Sequence, residues 1–207
     1  TPSNSSAASD VYKRQVIASS NEVIIRSDSD DISVNNRFDK LTSYLKINPE
    51  ITIVGSYISE FNGSKTNLVG ERKVPLSSEA IANFAKYRSP FNHPSVAFKR
   101  SEIIKIGNYH SIRGVEDYDL WIRAVHYNCS MANIPESLVL MRVGEEMYSR
   151  RGGKGYLKNY TLIKYNAYKL HVVNFFEFIF GISIMSIHVS LPVFFKKIIY
   201  TKLLHKS

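Results

Sequence analysis

Three aspartates stand close together near the start of the chain. They are Asp28, Asp30 and Asp31, and they come shortly after the β-branched run at 23–25. That run predicts a buried strand, because β-branched residues fit a covered, pleated surface. The acids then lie at the carboxyl end of a strand, where ligands bind in open α/β sheets. Carboxylates one residue apart suit a hard divalent cation that carries a phosphate, so the cluster is a candidate metal-diphosphate site.

A structural role for the same aspartates stays open. Asp is common in turns and at the starts of helices, and the cluster precedes a predicted helix. A calcium-binding loop is a poorer fit, because its fifth and sixth positions require an oxygen ligand and a glycine. This chain has Ile32 and Ser33 there.

A second acidic group opens a predicted helix at 114–123. Glu116, Asp117 and Asp119 crowd its first turn, and Leu120 and Trp121 can face inward. Acids are favourable at a helix amino terminus, which carries partial positive charge. That effect explains acids in general, but not why two of them stand directly before an aromatic-rich turn.

Two further polar segments could serve a site. In Pro90 to Ser95, prolines on both sides of His93 keep the backbone extended before a strand at 95–98. A lone histidine is more often a structural hydrogen-bonding residue than a ligand. The segment 142–153 is polar, cationic and typical of a mobile loop. Its Arg150 and Arg151 could close on a diphosphate or could simply be solvated.

Length and charge limit the class of protein. With 207 residues, 44% of them hydrophobic, the chain can bury one core. A single cysteine, Cys129, excludes a disulfide framework and a cysteine zinc cluster, and it fits a reducing compartment. Residues 1–148 carry 17 basic and 17 acidic residues, whereas 149–207 carry 10 basic residues and one acid. Such a basic segment seeks phosphates on nucleic acid, on a nucleotide or on an anionic bilayer.

The remaining segments alternate helix and strand signals, as an α/β fold requires. They are a helix over 35–47 with Phe38, Leu41 and Leu45 on one face, a strand over 51–57, a hairpin turn at Asn62-Gly63, a helix over 77–84, a short helix ending at Gly107, strands over 131–134 and 137–143, and a helix over 156–168.

The two ends of the chain differ from the middle. Residues 1–15 are serine-rich without an apolar stretch, so we expect a disordered or adventitious leader and a natural chain that begins further upstream. Residues 172–195 are strongly apolar, but Glu177 interrupts them and would cost about 3 kcal/mol in a bilayer, so a span is not favoured. Residues 191–204 mix lysines with apolar residues, which suits a helix in a membrane interface or a core helix with a solvated face.

Taken together, four short motifs resemble the family 2 glycosyltransferases, in particular those that assemble bacterial exopolysaccharide, capsule or amylovoran. In order, the motifs are Asp28-Ser29-Asp30-Asp31, Pro90-Phe91-Asn92-His93-Pro94-Ser95, Glu116-Asp117-Tyr118-Asp119-Leu120-Trp121 and Arg142-Val143-Gly144. The resemblance runs from about Val23 to the C-terminus. It implies a GT-A type α/β fold, a nucleotide-sugar donor, Mg²⁺ or Mn²⁺, and inversion at the anomeric carbon.

The resemblance also implies a role for each site residue. Asp28 and Asp30 match the Asp-x-Asp motif that holds the metal, while Asp117 matches the general base, with Glu116 beside it. The acceptor side would be formed by His93, Asn92 and Trp121, and the donor diphosphate would be bound by Arg150 and Arg151. Acceptors in this family are commonly glycans or lipid-linked glycans. An acceptor of this kind and the basic tail imply a cytoplasmic protein, peripheral on the inner face of the plasma membrane.

One part of the family pattern is missing from this sequence. Family members begin with a strand and a βαβ half that holds the nucleotide base, and nothing here matches it. We therefore expect a partial GT-A (Rossmann-like) domain over 16–153 that lacks its first nucleotide-binding half. A helical, basic, membrane-associating segment over 154–207 would follow, and the chain by itself would have little or no activity.

Two other classes remain open. A metal-dependent nuclease or nucleotidyltransferase could use Asp28, Asp30 and Glu116 as a two-metal cluster. Against it, the basic excess lies on an aromatic and aliphatic tail, which does not suit nucleic acid, and so we expect no nucleic-acid partner. The other class is a non-catalytic module bound to a membrane surface.

Overall fold

The computed structural model describes residues 6–144 and 153–192, with the side chains of 6–9 excluded. Helices and strands alternate along most of this length. In chain order they are α1 (Ser6–Ala18), β1 (Val23–Ile25), β2 (Ile32–Ser33), α2 (Arg37–Ile47), β3 (Ile51–Phe61), β4 (Leu68–Arg72), α3 (Ser78–Ala85), β5 (Ala97–Lys99), α4 (Arg100–Lys105), α5 (Glu116–His126), β6 (Ser130–Arg142), α6 (Gly153–Lys169) and α7 (Phe175–Ser190).

The long strand β3 organises a mixed sheet. It pairs in parallel with β6 along its whole length, and its other edge pairs antiparallel first with β5 and then with β4. Strand β1 adds to β5 and β2 adds to β6, both antiparallel, which gives the order β1-β5-β3-β6-β2. The fold is therefore α/β, as the sequence predicts.

Helices cover both faces of the sheet, because successive residues of a strand point to opposite sides. On one face Val54 packs with Leu41 and Leu45 of α2. On the other, Ile53 belongs to a cluster that contains Leu120 and Trp121 of α5. All six of these side chains are almost fully buried.

Several predicted elements are confirmed. Strand β1 has the predicted bounds, although it is half-buried. The helix predicted over 77–84 is α3, and its N-cap is Ser77, whose side chain accepts from the Ala80 amide. The Asn62-Gly63 turn joins β3 to β4, with Gly63 at a φ of 70°. Helix α5 buries Leu120 and Trp121 as predicted.

The buried face of α2 differs from the prediction. Phe38 is 50% exposed, whereas Arg37 is only 1% exposed. Arg37, Leu41 and Leu45 follow one another at intervals of four residues, so they share one stripe of the helix. The guanidinium of Arg37 can occupy this stripe because buried carbonyl oxygens accept its hydrogen bonds.

The two strands predicted on either side of Pro135-Glu136 form one strand, β6. Opposite Ser56 lies Ile134, and opposite the next residue, Tyr57, lies Ser137, so the Pro135-Glu136 pair bulges out of the ladder. Proline has no amide hydrogen to give to the ladder, and the bulge removes that requirement.

The predicted disorder of the leader is wrong for residues 6–15, which belong to α1. Val16 is 3% exposed in the cluster that contains Trp121, and Tyr12 packs beside it. Burial of these side chains compensates for the poor apolar pattern of the segment.

Helix α6 packs on α5, and α7 packs on α6. Helix α7 begins with a capping box in which Asn174 and Glu177 satisfy each other's backbone amides, so Glu177 has a local role at the helix start. Within the described ranges, no helix has both the length and the apolar character needed to cross a membrane. Most of the predicted interfacial segment, 193–204, lies outside the residues that the structure describes.

Candidate active site

A cleft of about 780 Å³ contains both acidic groups that the sequence singles out. The turn after β1 contributes Asp28, Asp30 and Asp31 to its wall, and the first turn of α5 contributes Glu116 and Asp117. The segment before β5 lines the cleft between them, and α6 and α7 add side chains from the C-terminal part.

The acid turn brings its three carboxylates together. One carboxylate oxygen from each of Asp28, Asp30 and Asp31 lies within 4.8 Å of the others. Asp28 forms a bidentate pair with Arg26, at 2.7 and 2.9 Å, and an oxygen of Asp31 accepts from the backbone amide of Arg142 at 3.0 Å. Burial, with the nearby charges of Asp28 and Asp30, raises the pKa of Asp31 to about 6, although the Arg142 amide acts in the opposite direction.

This donor set fits a hard divalent cation. Opposite oxygen ligands are about 4 Å apart around Mg²⁺ and about 5 Å apart around Ca²⁺, and these carboxylate oxygens, within 4.8 Å of one another, are close to that range. A cation here would share Asp28 with the Arg26 guanidinium.

The second acidic group lies on the first turn of a helix held by a buried face. Tyr118 is 4% exposed, and its hydroxyl donates to the carbonyl oxygen of Ala85 at 2.7 Å. Burial raises the pKa of the half-buried Glu116, and the charge of Asp117 adds to this effect, while backbone amides at the helix start oppose it. The Oε2 atom of Glu116 has no hydrogen-bond partner among the described residues.

Asn92 and His93 line the cleft between the two acidic groups. The amide nitrogen of Asn92 donates to the carbonyl oxygens of Ser56 and Arg72, while its Oδ1 atom is buried with no partner in the described part of the chain. His93 Nε2 lies 2.9 Å from the Tyr109 hydroxyl. Burial, and then the charge of Arg26, lowers the pKa of His93 well below its ordinary value, so the imidazole is neutral at pH 7.

Among the described residues, one predicted site residue, Trp121, does not line the cleft. Trp121 is fully buried, and its ring packs on Phe91 and on the edge of His93. The burial of Trp121 corrects its assignment to the acceptor side. Its indole packs behind the cleft wall, because α5 turns that face toward the sheet. Arg150 and Arg151 lie outside the described residues.

The structure adds residues that the sequence reasoning missed. Tyr156 and Tyr160 of α6 and Met185 of α7 line the cleft, so the C-terminal helices contribute to its wall. Arg72 also lines it, in a buried ion pair with Glu60. The spacing of these four residues in the sequence does not indicate a functional site, because aromatic stripes and isolated ion pairs are common in protein cores.

Comparison with known sequences shows the class of protein to which the chain belongs. The chain is 35% identical over 185 residues to the Escherichia coli UDP-Gal:alpha-D-GlcNAc-diphosphoundecaprenol beta-1,3-galactosyltransferase, which covers 89% of the chain and 67% of that enzyme. An uncharacterized Haemophilus influenzae glycosyltransferase is 36% identical over 88% of the chain and 68% of its own length. The Erwinia amylovora amylovoran biosynthesis glycosyltransferase AmsE is 35% identical over 66% of the chain and 51% of AmsE. No protein-family model matches the chain.

The chain therefore belongs to the glycosyltransferases, and it fits the family 2 type that acts in bacterial polysaccharide synthesis. Among solved structures, residues 1–349 of S. aureus TarS superpose with a TM-score of 0.50 at 12% identity, over 73% of this chain and 42% of that one. A longer TarS structure gives 0.51 at 13% identity, over 74% and 26%. At this identity the likeness concerns the fold, which corresponds to part of a GT-A domain.

Proposed function

We propose that the protein is an inverting glycosyltransferase that moves a sugar from a nucleotide-sugar donor to a glycan or lipid-linked acceptor in cell-surface polysaccharide synthesis. The observation that carries the proposal is the presence of two separate acidic groups in one cleft. Such a reaction needs a cation where the diphosphate leaves and a proton acceptor where the hydroxyl attacks.

Asp28 and Asp30 would hold the Mg²⁺ or Mn²⁺, and Asp31 would support the turn. A bound cation supplies Lewis-acid stabilisation of the charge that develops on the departing diphosphate. The chain's own contribution is to keep the carboxylates together: Arg26 pairs with Asp28, and the Arg142 amide donates a hydrogen bond to Asp31.

Asp117 would act as the general base, with Glu116 beside it. In an inverting displacement the acceptor hydroxyl attacks from the side opposite the leaving group, so its proton must be removed across the sugar from the metal. The location of Asp117 in the same cleft as the aspartate turn, but on a different element, supports this role. Asn92 and His93 would contact the acceptor, and the unpartnered Oδ1 of Asn92 suits a sugar hydroxyl that donates a hydrogen bond.

The relatives suggest the first substrates to test. The E. coli relative is named for UDP-galactose and for an acceptor sugar on diphosphoundecaprenol. For this chain we propose the same two classes, a nucleotide sugar and a lipid-linked glycan. Arg150 and Arg151 are proposed to bind the donor diphosphate. Replacement of both by Ala should raise the donor KM about tenfold or more, given the strength of Arg-phosphate pairs, and an unchanged KM would remove the role.

The decisive test exchanges the 185 aligned residues of the E. coli enzyme for those of this chain and measures sugar transfer. Mn²⁺-dependent transfer with inverted configuration, read by NMR of the product, is expected. Asp30→Asn and Asp117→Asn should each abolish it. Transfer that survives both substitutions would contradict the proposed site.

We also propose that the protein is cytoplasmic and lies on the anionic inner face of the plasma membrane. Helix α7 exposes a stripe of apolar side chains at intervals of three or four residues, on which Phe176 is 82%, Phe180 56%, Ile184 50% and Ile187 64% exposed. The sequence that follows, 193–207, carries four lysines and no acid. An apolar stripe next to cationic residues is typical of helices that bind an anionic membrane surface.

Vesicle flotation tests this surface. Binding to vesicles with anionic lipid should fall about tenfold when Phe176, Phe180 and Ile187 are replaced by Ser, since each buried apolar side chain contributes to partitioning. The matched control is a variant in which Phe38 and Ile47, two exposed apolar residues of α2, are also replaced by Ser. It should bind vesicles like the unaltered protein. Equal binding by both variants would remove α7 from the membrane contact.

Steeply salt-dependent binding to DNA or RNA would favour the nuclease or nucleotidyltransferase class instead.

A further inference from the structure

Arg37 is the largest charged side chain that the structure buries almost completely, at 1% exposure. Its Nη2 atom donates to the carbonyl oxygens of Arg26 and, at 2.6 Å, of Pro94. Its Nη1 atom donates to the hydroxyl oxygen of Ser33 at 2.9 Å. One guanidinium is thus bonded to two nearby positions, Arg26 and Ser33, and to Pro94, which is 57 residues away in sequence.

All three positions belong to the cleft or lead directly into it. Arg26 comes two residues before Asp28, and Ser33 comes two residues after Asp31, so Arg37 is bonded on both sides of the acid turn. Pro94 follows His93 and lines the cleft between the two acidic groups. Arg37 itself is not among the residues that line the cleft.

Packing alone does not explain an arginine here. Leu41 and Leu45 fill the same stripe of α2 with apolar side chains, and a further apolar residue would continue it. A buried guanidinium costs free energy unless its donors are satisfied. Both Nη atoms of Arg37 donate to oxygens that an apolar side chain could not bond, while its Nε atom has no partner among the described residues. Burial, followed by repulsion from Arg26, lowers the pKa of Arg37 to about 10, so the group is still charged at neutral pH.

We propose that Arg37 is a positioning residue of the transfer site: it fixes the acid turn against the segment that carries Asn92 and His93. The proposal rests on the assignment of the acid turn as the metal site, made under Proposed function. The guanidinium sets the spacing between the cation and the acceptor side without contacting either. Lysine, a compact point charge, cannot reproduce this three-way geometry.

The test is Mn²⁺ affinity, read from the electron paramagnetic resonance of free Mn²⁺ at a temperature where every variant is folded. Arg37→Lys should weaken binding about tenfold, the lower end of the effect of removing groups that orient metal ligands. Arg37→Met should weaken it at least as much. Ser33→Ala removes one of the three bonds while the guanidinium and its other two bonds remain, and should weaken it about threefold.

Arg123→Lys is the matched control. Arg123 is also buried, at 7% exposure, and bonds the carbonyl oxygens of Ile106 and Asn108, but it does not touch the acid turn. This variant should lose thermal stability as Arg37→Lys does and should bind Mn²⁺ within twofold of the unaltered protein.

The alternatives give different results. If Arg37 acted only through its charge, Arg37→Lys would bind normally and Arg37→Met would bind more tightly, because a cation near the site opposes Mn²⁺. If Arg37 only stabilised the fold, Arg37→Lys would lower the Tm without changing the Mn²⁺ affinity. Either result overturns the proposal. Should Arg37→Lys fail to fold, unchanged affinity in Ser33→Ala overturns it. If Asp30→Asn leaves Mn²⁺ binding intact, the metal assignment itself is wrong.

Discussion

The two acidic groups of the cleft use the same chemistry in opposite surroundings. On the acid turn, Asp28 is paired with Arg26, and Asp31 accepts an amide hydrogen bond. On α5, Glu116 has an oxygen without a partner among the described residues, and burial raises its pKa. Cations and amide donors favour the ionised carboxylate and desolvation favours the protonated one, and in Asp31 desolvation dominates, because its pKa is raised to about 6. The first environment suits a metal ion and the second suits proton transfer.

Local structure produces this difference. The acid turn lies between two short strands, where the backbone changes direction and side chains are partly exposed. Glu116 and Asp117 instead begin a helix whose next turns are buried in an aromatic core. Asp and Glu residues therefore acquire separate roles from the elements that hold them, and substitutions in the two groups should affect different quantities.

The largest expected effect comes from Asp117→Asn. Loss of a general base lowers kcat by about 10²–10⁴, and sugar transfer in the E. coli exchange protein should fall by that much while the Kd for Mn²⁺ stays the same. Glu79→Gln is the control, since Glu79 also lies in the first turn of a helix but is exposed and outside the cleft. A weakened Mn²⁺ affinity in Asp117→Asn would erase the distinction between the groups.

Asp30→Asn should produce the reverse pattern. Removal of one carboxylate from a three-carboxylate site should weaken Mn²⁺ binding about 100-fold, because affinity depends on the number of charged ligands. Asp30 is a cleaner target than Asp28, whose loss would leave Arg26 without its bidentate partner. Asp39→Asn, an exposed acid on α2, should bind Mn²⁺ normally in calorimetry. If Asp30→Asn and Asp39→Asn bind Mn²⁺ with similar affinity, the aspartate cluster is better explained by its structural role in the turn.

Much of the fold follows from local sequence signals, and the exceptions have physical causes. Residues 41 and 45, the cap Ser77 and the Asn62-Gly63 turn each satisfy a local rule and were predictable. Periodicity could not decide whether position 37 or 38 faces inward, because carbonyl oxygens from remote segments bond the Arg37 side chain. The leader helix likewise depends on remote packing of Val16.

The lining of the cleft was predictable where side-chain chemistry is concentrated in short motifs. Both acidic groups and the Asn92-His93 segment line one cleft, as the family resemblance implies. Trp121 was misassigned because a motif does not reveal which way each of its residues points. Contributions from α6 and α7 were missed because their apolar and aromatic residues look like ordinary core in sequence.

Mn²⁺ binding at the acid turn should also depend on pH, through the titration of Asp31. The carboxylates of α5 should not contribute to this dependence. The pKa of Asp31 is raised to about 6, so this carboxyl is protonated below that pH and ionised above it. Metal ligands and their charged neighbours favour a cation only when ionised, so Mn²⁺ affinity should be full above about pH 7 and fall about tenfold by pH 5. Asp31→Asn should remove this dependence between pH 5 and 7, in Mn²⁺ titrations at fixed ionic strength. A pH profile that is the same in Asp31→Asn would assign the titration to another group.

The smallest expected effect is on stability, from Glu116→Gln. A carboxyl whose pKa is raised on folding makes the folded state less stable as pH rises through the unfolded and then the folded pKa, because ionisation is disfavoured in the fold. Glutamine mimics the neutral form, so the variant should be more stable at pH 7 and its stability should depend less on pH between 4 and 7. Loss of the favourable charge at the helix start offsets part of the gain, which leaves a Tm increase of about 1–2 °C in thermal unfolding followed by circular dichroism.

Glu79→Gln, at an exposed helix start, should show a small decrease instead, since there only the favourable helix interaction is lost. A decrease in both variants would mean that the surroundings of Glu116 stabilise its charge, and the contrast between the two acidic groups would then be wrong.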